Sequence, residues 1–247
     1  FKDIRAGFDK MSGKHKEISF TAPTSYWYMR HFDLTASAKA VDYINVMSYD
    51  LHGIWDADNP IGSQVLAHTN LTEIDLALDL FWRNKVDPSK INMGIGFYGR
   101  SFQLADPSCH KPGCLFLGGA KPGPCTDNSG TLSYFEIMDI IEKYDLTPYW
   151  DKKDAVKYVT WGGDQWVSYD DKDTIKQKIE FANALGLGGL LIWAIDLDNT
   201  QLDALAAVLA PKSFNAHKDR SKKTPWVDLR TGHCTINDYS TTSCKSR

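Results

Sequence analysis

No run of about 18 apolar residues occurs anywhere in the 247 positions, so nothing in the sequence reads as a bilayer-spanning helix. Excess charge of either sign is missing too. The 28 Lys and Arg against 31 Asp and Glu leave a net −3, which argues against nucleic acid or an anionic membrane as the main partner. The five cysteines contain no C-x-x-C pair, and no cluster with metal-ligand spacing accompanies them, so neither zinc nor any other cofactor is expected. A phosphate-cradling loop is absent as well: "GIGFYG" (94–99) is no dinucleotide fingerprint, because no helix opens after it.

What is abundant is aromatic. Eight Trp and eleven Tyr exceed what packing needs, and several stand beside turn residues rather than inside apolar runs. Flat rings with polar tips suit sugar rings, although any single one serves equally well as a core residue. Cys109, Cys114 and Cys125 lie in a Gly/Pro-rich stretch, and Cys234 and Cys244 near the end; such loop cysteines read as disulfides of a secreted protein. Their odd number leaves one thiol free or paired outside the chain. Asn70-Leu71-Thr72 is a glycosylation sequon, which agrees with secretion. The opening "FKDIRAGFDKM" reads as the end of an amphipathic helix, with Ile4 and Phe8 one turn apart, rather than as a signal peptide. A fragment of a longer protein is expected.

Four strand-like runs appear at "EISFTAP" (17–23), at 43–50, at "KINMGIGFYG" (90–99) and at "GGLLIWAID" (188–196). Helical periodicity separates them. "DLTASAKAV" (33–41) is a short helix; 70–85 repeats Leu71, Ile74, Leu78 and Phe81 on one face, with Thr72 as a cap; 173–185 closes at Gly186, and 200–209 follows the last strand. Strand–helix alternation is the pattern of a parallel sheet covered by helices. About 70 residues, 100–172, interrupt it with their own cysteines, a helix at 131–144 and strand-like pieces at 155–160 and 165–169. A connection that long reads as a small inserted α+β lobe. The expected division is therefore 1–99 with 173–211 as the parallel-sheet domain, 100–172 as the lobe, and 212–247 as a basic linker and Cys-containing tail.

A parallel βα sheet carries its chemistry beyond the carboxyl ends of its strands. In 43–50, Asn45, Met47 and Tyr49 share one face, with Ile44, Val46 and Ser48 on the other. Tyr26, Trp27 and Tyr28 follow the first strand, and Tyr49 with Asp50 ends the second. Tyr98 and Arg100 end the third after Gly94 and Gly96; Trp193, then Asp196 and Asp198, end the fourth. Aromatics at all four ends, without a phosphate loop or metal cluster, point to an uncharged, ring-shaped ligand.

"VMSYD" (46–50) resembles the M-x-Y-D motif on the sixth barrel strand of glycoside hydrolase family 18. "GFYGRSF" is similar to that family's seventh strand, "GGLLIWAIDLD" to its eighth, and "GDQWVSYDD" to the end of the lobe inserted in many of its chitinases. "SYWYMRHFD", "HTNLTEIDLALDLFWRN" and "DPSCHKPGC" look most like fungal killer-toxin-like chitinases. The resemblance, over roughly residues 1–210, implies the C-terminal half, about strands 5–8, of a (β/α)8 TIM barrel with the α+β lobe between strands 7 and 8.

The resemblance also implies a chemistry, the endo-hydrolysis of β-1,4-linked N-acetylglucosamine polymers by a retaining, substrate-assisted route. The sugar's acetamido oxygen attacks the anomeric carbon while a glutamic acid protonates the leaving oxygen. Tyr49 would hold the acetamido group, and Asp50 would contact the sugar or orient its neighbours with Arg100 as charge partner. Trp193 would lie under the sugar, Met47 would line the floor and Tyr98 a wall, and Tyr26, Trp27 and Trp55 would serve flanking subsites. The partner is then chitin or chito-oligosaccharide. The family's D-x-x-D-x-D-x-E and S-x-G-G motifs have no counterpart in the 247 residues. "AIDLDNT" (194–200) lacks the glutamate and belongs to the eighth strand. The sequence is therefore expected to belong to the second half of a catalytic domain, to lack turnover without its general acid, and to fold poorly alone because its outer strands have open edges. Three other readings stay open: a non-catalytic chitinase-like lectin, a killer-toxin-like subunit that binds chitin, and an endoglycosidase acting on glycoprotein glycans, which the inserted lobe disfavours.

Overall fold

The structure, a computed structural model, describes residues 1–209. The basic linker and the cysteines at 234 and 244 lie outside the described residues. The chain runs through α1 (Lys2–Phe8), β1 (Ser19–Ala22), α2 (Tyr26–Met29), α3 (Leu34–Ala40), β2 (Tyr43–Val46), α4 (Leu71–Arg83) and β3 (Ile91–Gly96). After one residue, Phe97, it continues as β4 (Tyr98–Leu104), β5 (Phe116–Gly119), β6 (Thr131–Ser133), α5 (Tyr134–Lys143), β7 (Tyr149–Asp151), β8 (Val156–Trp161) and β9 (Gln165–Tyr169). It returns through α6 (Lys172–Leu185) to β10 (Gly189–Trp193) and then α7 (Asp203–Val208).

Four strands form a parallel sheet in the order β1-β2-β3-β10. Its two faces differ in kind. Ile44, Val46, Ile91, Met93 and Ile95 are buried and pack against Leu71, Ile74, Leu78 and Phe81 of α4 and Ile175 and Ala182 of α6. The β-branched residues of the second strand thus meet helices, as their stiff, wide side chains favour. On the opposite face, Thr21, Asn45, Asn92 and Gly189 stand in register across the sheet, and Asn92 Nδ2 donates to Asn45 Oδ1 at 3.0 Å. That face is half-open: Thr21 is exposed and Asn45 and Asn92 are partly so. Among the described residues β1 and β10 each pair on one side alone.

The long interruption is an antiparallel sheet in the order β5-β4-β9-β8-β7, with β6 also paired to β4. It begins at Tyr98 rather than Arg100, so the expected third strand is in fact two strands that meet at Phe97. Phe97 is 1% exposed; its N–H donates to Trp193 O and its carbonyl accepts from Tyr134 N, both at 2.9 Å. The Glu136 carboxylate organises the loop before α5 by accepting from Cys125 N, Thr126 N, Thr126 Oγ1, Ser133 N and Ser133 Oγ at 2.8–3.0 Å. A disulfide joins Cys109 to Cys114 in the β4–β5 connection. The end of β9 is tied to α6 by a fully buried Asp170–Lys178 ion pair, to which Thr174 Oγ1 adds a 2.7 Å hydrogen bond.

The cap of helix α4 lies two residues earlier than expected, at Asn70 rather than Thr72. Asn70 accepts from Glu73 N at 3.2 Å, while the Thr72 hydroxyl, already inside the first turn, donates to Asp154 Oδ1 at 2.7 Å. Gly186 closes α6 in the left-handed conformation, at φ 70°, where glycine alone is free of strain.

Candidate functional site

The ladder of β2 stops at Val46, three residues before Tyr49. Ser48 replaces it: its hydroxyl donates to Gly94 O at 2.9 Å and accepts from Gly94 N at 2.7 Å. This clamp keeps the exit of β2 against β3. Asp50 then takes a left-handed backbone, φ 59°, a conformation that strains a non-glycine residue by on the order of 1–3 kcal/mol. His68 holds the turn. Asp50 N–H donates to His68 Nδ1 at 3.3 Å, and Leu51 N–H donates to the His68 carbonyl at 3.1 Å. Accepting at Nδ1 puts the ring proton on Nε2, which donates to Tyr98 O at 3.2 Å. Complete burial holds the His68 pKa below its ordinary value, against the pull of Asp50, and agrees with this neutral tautomer.

Tyr98 and Arg100 reach the same carboxylate from β4, the neighbouring sheet. Tyr98 donates to Asp50 Oδ1 at 2.6 Å. Arg100 grips both oxygens, Nε to Oδ1 at 2.8 Å and Nη2 to Oδ2 at 2.7 Å, and its Nη1 is anchored on Thr131 Oγ1 at 2.7 Å. Burial by itself would raise the Asp50 pKa. Hydrogen bonds from Arg100 and Tyr98, together with the Arg100 charge, outweigh it and hold the carboxyl well below the usual range. Burial, then the Asp50 charge, drives the Tyr98 phenol far upward. Tyr49 is pushed up to about 12, first by burial and then by Asp50.

The aromatic rings have room because two glycines face them. A Cβ on Gly94 would lie 2.8 Å from the Tyr49 ring, and one on Gly96 would lie 3.1 Å from Tyr98. The Tyr49 and Tyr98 rings meet edge-on, 6.0 Å apart. Trp193 stands in register with Gly96 at the end of β10 and is 58% exposed; the peptide bond that follows it is cis. The Arg100 guanidinium sits 4.9 Å from the centre of the Trp55 ring, which is 39% exposed. Met47, half-buried, follows β2 directly.

One end of the parallel sheet thus carries Met47, Tyr49, Asp50, Tyr98, Arg100, Trp55 and Trp193. Tyr26 and Trp27 sit apart, on the short helix after β1, and among the described residues neither makes a hydrogen bond, ion pair or ring contact with this group. Tyr26 borders a separate hollow of about 190 Å³ with Phe32, Leu80 and Asn84, and Trp27 lies under the Arg30 guanidinium at 3.6 Å. Asp196 is exposed, and Asp198 is used structurally, accepting from Ala204 N and Leu205 N to close the start of α7. His68 and Thr131 escape sequence reasoning, since neither sits in a pattern that marks it. His52, the immediate neighbour of the motif, is flanked by Asp56 Oδ2 at 2.8 Å and Glu73 Oε2 at 2.9 Å.

The chemistry open to this arrangement is recognition. The Asp50 carboxylate is committed to donors and ionised throughout the physiological range, so it is a poor proton donor. The Tyr49 hydroxyl makes no hydrogen bond with the described residues and is available to an acceptor. Trp193 and Trp55 supply flat surfaces. Among the described residues, no group of three His, Cys, Asp or Glu could hold a metal ion, and no helix is long and apolar enough to cross a membrane.

The model of glycosyl hydrolases family 18 matches residues 1–198, both sheets included. The chain belongs to this family. It is 34% identical over 198 residues to the secreted chitinase LysM12 of Penicillium expansum, a match that covers 74% of the chain and 13% of that relative. Among solved structures, the family 18 fold superposes on the Group IV chitinase of Ostrinia furnacalis with a TM-score of 0.73 at 28% identity, covering 84% of this chain and 60% of the other. Human YKL-39, a pseudo-chitinase with retained chitooligosaccharide binding properties, gives a TM-score of 0.75 at 25% identity, with coverage of 84% and 62%. The chain thus spans less than two thirds of these relatives.

Proposed function

We propose that this chain is the sugar-recognising, C-terminal half of a secreted chitinase catalytic domain, and that alone it binds chito-oligosaccharides without hydrolysing them. The observation that carries the reading is the Asp50 carboxylate, locked by Arg100 and Tyr98 beside the free Tyr49 hydroxyl at the carboxyl end of a parallel sheet. In this reading β1, β2, β3 and β10 are strands five to eight of a (β/α)8 barrel, and residues 98–169 are the lobe between strands seven and eight. The half-open face with Thr21, Asn45 and Asn92 is the barrel interior. Residues 212–247 are read, from sequence alone, as a basic linker and Cys-containing tail.

Tyr49 donates to the acetamido oxygen and holds it for attack on the anomeric carbon, a positioning worth up to about 7–11 kcal/mol in well-oriented intramolecular reactions. Asp50 orients Tyr49 through the shared turn, Trp193 lies beneath the sugar, and Met47 and Tyr98 line the pocket. Trp55 serves a flanking subsite. The proton for the leaving oxygen comes from a glutamic acid on a D-x-x-D-x-D-x-E strand, which these 247 residues do not contain. In the intact protein the two halves together perform endo-hydrolysis of chitin.

The test is to titrate the 247-residue chain with N-acetyl-chitotetraose by calorimetry and to follow product formation by chromatography. Saturable binding with product at the buffer background is expected. Turnover that co-purifies with the chain overturns the assignment of the acid to another segment, and binding of unrelated glycans in preference to chitotetraose overturns the substrate class.

A further inference from the structure

The loop that leaves Asp50 bears Trp55, and a chain of three groups, Asp56, His52 and Glu73, ties it to α4. His52 is 6% exposed and Asp56 is 3% exposed. The ring places Nδ1 2.8 Å from Asp56 Oδ2 and Nε2 2.9 Å from Glu73 Oε2, with Glu73 Oε1 at 3.0 Å. Asp56 belongs to the same loop and Glu73 to the first turn of α4, and these two are the charged groups that face the ring. A carboxylate at each nitrogen requires a proton on both, because a neutral imidazole has one N–H and leaves one carboxylate against a lone pair.

The contacts continue from the ring to Trp55. Asp56 also accepts from Asn59 Nδ2 at 3.2 Å, while Asp56 N donates to Gly53 O at 3.0 Å, which closes the short turn Ile54–Asp58. Trp55 is folded over Gly53, where an added Cβ would lie 2.3 Å from the indole. Its outer neighbour is the Arg100 guanidinium that grips Asp50. We infer that His52 is a positioning residue: as an imidazolium it straps the loop to Glu73 of α4 and so sets where Trp55 stands beside Arg100. This role rests on the proposed sugar site, since Trp55 matters as a subsite wall there.

The direction of the pH effect follows from the geometry. Burial opposes the charged ring, but hydrogen bonds and charge from Glu73 and Asp56 prevail and raise its pKa above the ordinary 6.5. The strap is therefore complete below 6.5 and is lost as pH rises through the higher folded value. Loosening of Trp55 weakens a ligand that spans its subsite more than one that does not.

The experiment uses the full 247-residue chain. The His52 ring protons are followed by NMR from pH 5 to 9 and assigned by their loss in H52Q, and indole fluorescence is recorded alongside without ligand. Affinities for N-acetyl-chitotetraose and for the disaccharide are measured over the same range. Expected are a His52 midpoint above 6.5, a lower midpoint in E73Q, and an affinity for the tetrasaccharide that falls about fivefold across it, the low end of coupling between linked sites. The fall should vanish in W55A. A midpoint at or below 6.5, a midpoint unmoved in E73Q, or an unchanged fall in W55A overturns the inference. If no chito-oligosaccharide binds at any pH, the sugar-site reading fails, and the NMR and fluorescence titrations still decide for or against the strap.

Discussion

Replacing Arg100 by Met removes the charge and the fork but keeps an unbranched chain of similar reach. The wild-type side chains of Arg100 and Asp50 are 19% and 37% exposed, and the pair is bidentate at 2.7 and 2.8 Å. Removing one partner of a fully buried pair costs about 3–5 kcal/mol. Water reaches Asp50, and screening discounts that figure to about 2–3 kcal/mol. The loss should also carry a pH signature. The depressed carboxyl contributes stability that is present above its ordinary pKa of 3.8 and disappears as pH falls through the lower folded value. In R100M the folded value returns toward 3.8, so the difference between the two proteins is largest near neutrality and shrinks in acid. Urea unfolding at pH 7 and pH 3 measures both quantities. R100K should recover part of the loss, because an ammonium restores charge without the planar fork. A destabilisation under 0.5 kcal/mol at pH 7, or one of equal size at both pH values, refutes the claim that Arg100 holds Asp50 in its ionised form.

Y49F should keep its urea midpoint, since the hydroxyl makes no bond with the described residues, and should lose affinity for chitotetraose by a factor of ten or so, the worth of about 1.4 kcal/mol; a normal affinity counts against Tyr49 as the acetamido ligand. G94A forces a methyl group to within 2.7 Å of Val46 O and 2.8 Å of the Tyr49 ring. It should cost about 1–3 kcal/mol and weaken sugar binding as well, which calorimetry on the purified variant reads directly. K178M leaves Asp170 buried without its cation and should cost about 3–5 kcal/mol, while the D170L/K178M pair should recover most of it. Equal destabilisation of the single and double variants in urea would rule out the ion pair as the reason.

Local patterning made the parallel sheet and its helices readable. The four buried positions of α4 repeat at helical spacing, and Gly186 marks the end of α6. Those signals arise within a few residues. The antiparallel sheet was readable only in part, because its strands are short and their pairings distant: Arg100 stands opposite Thr131 on one side and Ser168 on the other. Strand β4 merged with β3 in the sequence because a single apolar residue, Phe97, separates them. Tyr26 and Trp27 read as a strand exit, yet Ser25 caps a one-turn helix there, and Trp27 is taken up by the Arg30 guanidinium. The Asp50–Arg100 pair was foreseen through family resemblance. His68 was not, since its value lies in a bond to a backbone N–H 18 positions away.

The junction at Phe97 makes the proposed sugar site a jointed object. One jaw is the parallel sheet, which carries Tyr49 and Trp193; the other is the antiparallel sheet, which carries Tyr98 and Arg100. The covalent joint is one residue long and is held on both sides by backbone bonds to Trp193 and Tyr134. Across the gap the Asp50 carboxylate works as a bolt, receiving three donors from the opposite jaw. Any swing of one sheet against the other must first break those three bonds. If the proposed sugar site holds, its walls come from two sheets that one carboxylate keeps in register, so the polymer rather than the protein would have to adjust.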